Sequence, residues 1–580
     1  MFDVLVKLGW FFKQSKKQYT VAVVLLIIAS VLEVVPPYLL GSVIDVLTSG
    51  NMTASILGQY MLIFAAIVVG GYFLNFVWQY RLFEGAIKLE KMMRRKLMLH
   101  FLKMTPTFYE KNRTGDLMAR ATNDLNAVSL TAGFGIMTLI DSTLYMAAII
   151  CAMGFMISWK LTLFAMLPVP IMAVLIQYLG KLVHERYMKA QGAFGEMNDS
   201  VLESVSGVRV IRAYVQERKD ETKFADLSEK VYEKNMHTAK INAFFGPITK
   251  FGTGISYVIS LGYGAVLVSN GELTVGQLVT FNVYLGLAVW PIFAIGELIN
   301  VMQQGNASLD RVKETLDYRA DVQDLKNPVI LNTPNDIGFD DLEFQYPTSQ
   351  VKNLREISLS LGRGETLGIV GKTGAGKTTF LKQLLREYPL NEGQLTIDGI
   401  DLTSQTKEQV LNWIGYVPQD HVLFSRTIRE NILFGKEDAK ESDIERAIRL
   451  AHFEKDLETL QQGLETLVGE KGVALSGGQK QRVSIARALI KNPEILILDD
   501  SLSAVDANTE ANIIKNIQNE RKGKTTIITT HRLSSVQHAD HIIVLDEGRI
   551  IERGTHGELI KQNGWYKEQF DRQQLEGGTS

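Results

Sequence analysis

Cysteine is nearly absent from this chain: Cys151 is the only one in 580 residues. An intrachain disulfide framework is therefore excluded, and a lone thiol in an apolar run is more often a small core residue than a reactive one. An excess of either charge is also missing. With 61 Lys and Arg against 63 Asp and Glu, the net charge of −2 gives no global footprint for nucleic acid. The first apolar run lacks the small-residue cleavage site of a secretory signal and ends instead in "VVPPYLLGSVIDVL". The mean hydropathy of +0.05 is an average over two unlike halves, and the length suggests two or three domains.

What is present in the first half is a series of long apolar runs. Stretches near 20–45, 57–80, 131–158, 161–180, 243–269 and 277–301 are each long enough to cross a bilayer. Lys7, Lys13, Lys16 and Lys17 precede the first, residues 81–130 hold ten Lys or Arg, and 181–250 hold twelve. The connecting "TSGNMTAS" and "SNGELTVG" hold none. Basic loops face the cytoplasm, so six spans return the chain to that side. The two long basic segments carry helix-like apolar spacing, as in "KMMRRKLMLHFLKM". They read as helices that continue out of the membrane and are joined at their tips by short cross-helices, expected at 114–120 and 207–215.

The composition changes after "NASLDRVKETLDY". The expected division is a membrane domain over 1–320, a polar, proline-bearing linker over 321–335, and an α/β domain over 336–575 in which strands and helices alternate. "ETLGIVGKTGAGKTTFLKQLL" carries Gly371-x4-Gly376-Lys377-Thr378 between an apolar strand and a helix. That context makes Gly371, Lys372, Thr373, Gly374, Ala375, Gly376, Lys377, Thr378 and Thr379 a phosphate-binding loop. Its backbone N–H groups turn toward phosphate oxygens, and the helix amino terminus adds positive potential. Lys377 supplies charge to the β and γ phosphates, and Thr378 a hydroxyl for Mg²⁺. "EILILDD" ends a buried strand on Asp499, a second Mg²⁺ residue.

Between these two elements lies "ALSGGQKQRVSIARAL", with Leu475, Ser476, Gly477, Gly478 and Gln479. This resembles the signature of ATP-binding-cassette proteins, and the full chain resembles a half-size ABC exporter. The implied fold class is an α-helical membrane bundle of six spans with long intracellular helices, fused to an α/β P-loop ATPase domain. The resemblance makes Tyr346 in "FQYP" the aromatic that stacks on adenine. It makes Gln419 in "YVPQD" a residue that meets Mg²⁺ and the attacking water, and His531 in "ITTHRLSSV" the switch histidine at the γ phosphate. "TLVGEKG" at 466–472 resembles the segment that meets the cross-helices, and "SAVD" at 503–506 the loop that reaches toward the partner's site. In the family, the signature of one subunit closes over the phosphate loop of another, so the functional unit is a dimer that binds ATP with Mg²⁺.

Asp500 departs from this pattern. The family's usual residue is a glutamate that orients or deprotonates the attacking water, and aspartate is one methylene shorter. Loss of a positioned base typically costs ~10²–10⁴ in rate. The site on this chain's phosphate loop is expected to bind ATP and split it slowly, whereas the intact signature suits a competent loop on another chain. The pattern resembles heterodimeric bacterial multidrug exporters of the BmrC/BmrD, LmrC/LmrD and EfrC/EfrD type, with "YEKNRTGDLMARATND" and "SLDRV" similar to the BmrC- or EfrC-like half.

That resemblance implies a bacterial plasma-membrane translocase that works by alternating access. Its partners are a second, non-identical half-transporter, the lipid bilayer and hydrophobic or cationic amphipathic molecules, not nucleic acid. Lipid or peptide export and an ATP-gated membrane sensor are the alternatives. Glu33, Asp141 and Glu297 lie in or near the spanning runs, where ionisable groups are costly and often functional. Tyr145, Met146, Phe281, Tyr284, Trp290 and Phe293 are candidates to line an adaptable apolar cavity.

Overall fold

The computed structural model describes residues 2–469, 475–503 and 505–577. The chain forms two compact units. One comprises Met1–Leu102 and Thr114–Tyr318, the other Lys103–Arg113 and Arg319–Ser580.

The first unit is helical among its described residues. Lys16–Leu32 and Val35–Thr48 meet at Glu33 and Val34, and Pro36 and Pro37 occupy the first turn of the second helix. A proline there forfeits no intrahelical hydrogen bond. Ala54–Phe101 runs for 48 residues, about 72 Å at 1.5 Å per residue, so it outruns a hydrocarbon core of about 30 Å. Among the described residues, five helical stretches are long and apolar enough to cross a membrane: Lys16–Thr48, Ala54–Phe101, Thr114–Met166, Glu217–Ser269 and Val275–Asp317.

The apolar run 161–180 is carried by Trp159–Met166 and the head of Pro168–Ser206, and the helix count is compatible with six spans. The helix breaks at Ser158. Its backbone is extended, and its hydroxyl accepts from Leu161 N to start the next helix. Gly154 makes room for this reversal, since a Cβ there would lie 2.5 Å from the Trp159 ring.

The stretch from Thr114 to Ser158 is interrupted by wider π turns at Arg120–Asp124, Thr131–Gly135, Asp141–Tyr145 and Ala152–Ser158. Three of them present a polar side chain to the helix Val289–Asp317. Asp124 takes Ser308 Oγ at 2.9 Å and Arg311 Nε at 2.9 Å. Thr131 donates to Val301 O, and Asp141 accepts from the Trp290 indole at 3.0 Å. Gly305 permits the middle contact, because a Cβ there would lie 1.8 Å from Thr131 Oγ1. Sequence periodicity alone conceals this polar seam.

The first cross-helix is Pro106–Lys111, not 114–120. Thr105 and Asn112 are extended on either side of it, Pro106 supplies the preset first turn, and Thr114–Ala119 opens the next long helix. A short helix does fall within 207–215: Val208–Ala213, bounded by Gly207 and by Val215 at φ +52. Left-handed backbone at a β-branched residue is uncommon.

Among its described residues the second unit contains two sheets. Leu354–Gly362, Asp336–Phe344, Glu392–Ile397 and Ile400–Asp401 form an antiparallel sheet in that order. The other has the order Arg549–Gly554, His541–Asp546, Thr366–Gly371, Thr525–Thr529, Ile495–Asp499, Ile414–Val417. Its last five strands are parallel, and only the edge strand Arg549–Gly554 is antiparallel. Ile495–Asp499 and Thr525–Thr529 are buried along their whole length, as strands covered on both faces must be. Such a sheet gathers the loops at the carboxyl ends of its strands, where ligands of open α/β sheets bind.

Candidate active site

The strand Thr366–Gly371 runs directly into the glycine-rich loop expected to bind phosphate. Gly371, Gly374 and Gly376 have φ of +150, +85 and +104, conformations open to glycine at little cost. Gly371 is also confined: a Cβ there would sit 2.2 Å from Leu545 O. The loop ends at Gly376, which precedes the helix Lys377–Leu384. Lys372 and Thr373 are exposed, and Ala375 and Thr379 are buried.

Lys377 is 7% exposed and folds back over the loop, donating to Gly371 O at 2.9 Å and Lys372 O at 3.0 Å. Burial pulls its ammonium below the usual lysine range, while Asp500 and Asp499 oppose that shift. Its Nζ lies 3.3 Å from His531 Nε2. The imidazole is itself held below its ordinary range by burial and then by Lys377.

Asp499 is 1% exposed and closes its strand opposite the loop. Oδ1 accepts from Thr378 Oγ1 at 3.1 Å and Thr529 Oγ1 at 2.7 Å, and Oδ2 from Tyr416 Oη at 3.3 Å. Sequence reasoning missed Thr529 and Tyr416. The signal for both was position, since each lies two or three residues before a site residue: Thr529 before His531, and Tyr416 before Gln419. Burial, and next Asp499, push the Tyr416 phenol up, so it remains a donor.

Asp500 stands at φ +44, its N–H bonded to Thr529 O and Oγ1, both at 3.0 Å. Burial raises the Asp500 pKa, and His531 and Lys377 partly offset that. The structure thus brings together Lys377, Thr378, Asp499, Asp500 and His531. Gln419 is exposed, two residues beyond the end of Ile414–Val417.

Tyr346 Oη donates to Thr379 Oγ1 at 3.1 Å, which ties the aromatic to the phosphate-loop helix. The signature is built apart from this cluster. Ser476 caps the helix Gly477–Ile490, and its hydroxyl and the Gln479 side chain reciprocally bond each other's backbone N–H. Ser476 and Gly477 are exposed, Gly478 and Gln479 are half-buried, and Leu475 is buried. Asp456 anchors the helix by a two-pronged pair to Arg482 at 2.7 and 2.8 Å. Residues 470–472 of the expected 466–472 segment, and residue 504 of 503–506, lie outside the described residues.

In the first unit, Phe281 and Tyr284 are fully buried, with Tyr284 Oη donating to Val34 O at 2.6 Å. They are packing residues, not cavity-lining ones. Tyr145 is also buried, whereas Trp290 is 48% exposed.

A parallel sheet with a phosphate loop, an acidic strand end and a capped signature helix, joined to membrane-spanning helices, defines an ATP-hydrolysing domain coupled to a membrane transporter. The chain belongs to the ABC transporter family. Residues 19–292 match the ABC transporter transmembrane region, and residues 354–503 the ABC transporter domain. It is 60% identical over the whole of both chains to the probable multidrug resistance ABC transporter ATP-binding/permease protein YheI of Bacillus subtilis. To the multidrug resistance-like ATP-binding protein MdlA of Escherichia coli it is 40% identical over 98% of this chain and 96% of that one. A solved bacterial Atm1-family ABC exporter with ATP bound superposes with a TM-score of 0.81, at 25% identity, covering 96% of this chain and 99% of the other. The protein is accordingly a multi-pass membrane exporter with its ATPase domain in the cytoplasm.

Proposed function

We propose that this chain is one half of a heterodimeric exporter of hydrophobic or cationic amphipathic compounds. Its own ATP site is slow, and its signature completes the competent site of a non-identical partner. We assign the membrane domain to 1–320, the linker to 321–335 and the nucleotide-binding domain to 336–575. The observation that carries the reading is Asp500, a short carboxylate at the place of the water-activating glutamate, in a chain whose signature retains Ser476, Gly477, Gly478 and Gln479. The multidrug-resistance names of the Bacillus and Escherichia relatives support the cargo class.

ATP binding rests on residues with distinct tasks. Tyr346 offers a ring to the adenine, and the loop N–H groups and Lys377 hold the phosphates. The donor set suits a hard cation: the Thr378 hydroxyl and the Asp499 carboxylate already meet at 3.1 Å, and Gln419 adds an amide oxygen. A Mg²⁺ ion held by these residues would neutralise charge on the phosphate oxygens. On the partner's nucleotide, Ser476 and the N–H groups of Gly477 and Gly478 complete the cage around the γ phosphate. ATP works by favouring the closed pair of ATPase domains, which turns the membrane bundle outward, and product release resets it. Asp141, with its indole partner Trp290, and Glu297 are the groups that would attract a cationic cargo.

Photoaffinity trapping in the assembled pair tests the reading. Unhydrolysed ATP should persist on this chain while ADP is trapped on its partner. ADP trapped equally on two identical chains would establish a homodimer instead.

A further inference from the structure

Three aromatic rings meet at the end of the phosphate-loop helix. Tyr346 and Tyr388 stand edge to face, with centroids 5.0 Å apart at 86°, and Phe344 packs against both, at 4.9 and 5.6 Å. Lys382, on the helix Lys377–Leu384, holds its ammonium 5.6 Å from the Tyr346 centroid and 5.8 Å from that of Tyr388. Each contact is worth a modest amount and fixes ring orientation. The Tyr388 ring is 3% exposed, yet its hydroxyl leaves this cluster and donates to the carboxylate of Glu110.

Glu110 lies in the last turn of the cross-helix Pro106–Lys111, within the segment Lys103–Arg113 that belongs to the same compact unit. At the other end of this helix, Thr105 occupies the cap position but does not cap it. Its hydroxyl bonds Asp321 instead. The cross-helix is thus pinned at both ends, once to the linker and once to Tyr388. In sequence it joins the two long helices of the other unit.

We propose that Tyr388 is a positioning residue that couples occupancy of the Tyr346 ring to the cross-helix Pro106–Lys111, through its ring edge on one side and its hydroxyl bond to Glu110 on the other. This rests on the reading of Tyr346 as the ring that stacks on adenine. A base seated on Tyr346 restricts that ring, the restricted ring fixes the edge of Tyr388, and a fixed Tyr388 holds Glu110. An aromatic pair and one charge-assisted bond form a contiguous path with a substitutable group at each step.

The experiment places a bimane label on Lys111→Cys in a Cys151→Ser background. The full-length chain, in its assembled membrane form, is titrated with ATP. ATP should shift the label's emission. Tyr388→Phe, which removes only the hydroxyl, should abolish most of that shift, while ATP affinity changes less than about twofold. Glu110→Ala should do the same, and the double variant should go no further than either single one.

An unchanged shift in Tyr388→Phe, with ATP binding intact, would overturn the proposal, as would effects of the two substitutions that multiply. Unchanged ATP affinity in Tyr346→Ala would instead remove the adenine reading on which it rests.

Discussion

The Lys377 ammonium and the His531 Nε2 lie 3.3 Å apart, so one nitrogen donates and the other must accept. This requires a neutral imidazole. Burial and the neighbouring cation both hold the His531 pKa below its ordinary 6.5. Acidification therefore protonates the unfolded chain first, and the nucleotide-free fold loses stability as pH falls from 6.5 toward the lowered folded value. Burial also lowers His421 and His538, so the diagnostic is a difference. His531→Gln should flatten part of the fall in melting temperature between neutral and mildly acid pH, and an unaltered slope would contradict the assignment.

Lys377→Ala removes both the cation and the two carbonyl contacts that shape the loop. ATP affinity at this site should fall by about 10- to 100-fold, the worth of a charge-assisted contact. Equilibrium binding of labelled ATP to this chain measures it, and unchanged affinity would refute the phosphate-loop role.

Ser476→Ala has two consequences that separate cleanly. Loss of the cap should cost about 1 kcal/mol of stability, read as a lower melting temperature. Hydrolysis on the partner's phosphate loop should fall much more than hydrolysis on this one, as trapped ADP on each chain would show. Equal losses would undo the cross-chain arrangement.

Asp124 binds the long helix Val289–Asp317 through Ser308 and Arg311. Asp124→Ala should lower stability by about 1–3 kcal/mol, since it removes hydrogen bonds to a charged group. Thermal unfolding in detergent gives the value. Asp124→Asn, which keeps an acceptor for Ser308, should recover part of the loss.

The local geometry of the candidate site was legible in the sequence because its motifs depend on fixed local spacing. Gly371 to Thr378, Asp499 at a strand end and Ser476 before its helix all stand where their motifs place them. Contacts that cross the chain were not legible. Nothing in the spacing links Tyr416 or Thr529 to Asp499, or Asp124 to Arg311, because each pair meets only after the sheet or bundle forms. The first cross-helix was misplaced for a local reason. Pro106 opens the short helix and the extended Asn112 closes it, ahead of the expected 114–120. The π turns from Arg120 to Ser158 were hidden because an apolar run looks the same whether its turns are regular or widened.

The most direct measurement is ATP turnover by the purified chain alone in proteoliposomes, with ethidium accumulation followed in parallel and Asp500→Glu beside the wild type. The account predicts that the wild-type chain binds ATP, turns it over slowly and accumulates no dye. Asp500→Glu should raise turnover on the order of 10²-fold by restoring the reach of the carboxylate. Rapid hydrolysis together with dye accumulation by the unaltered chain, with no second kind of subunit present, would contradict it.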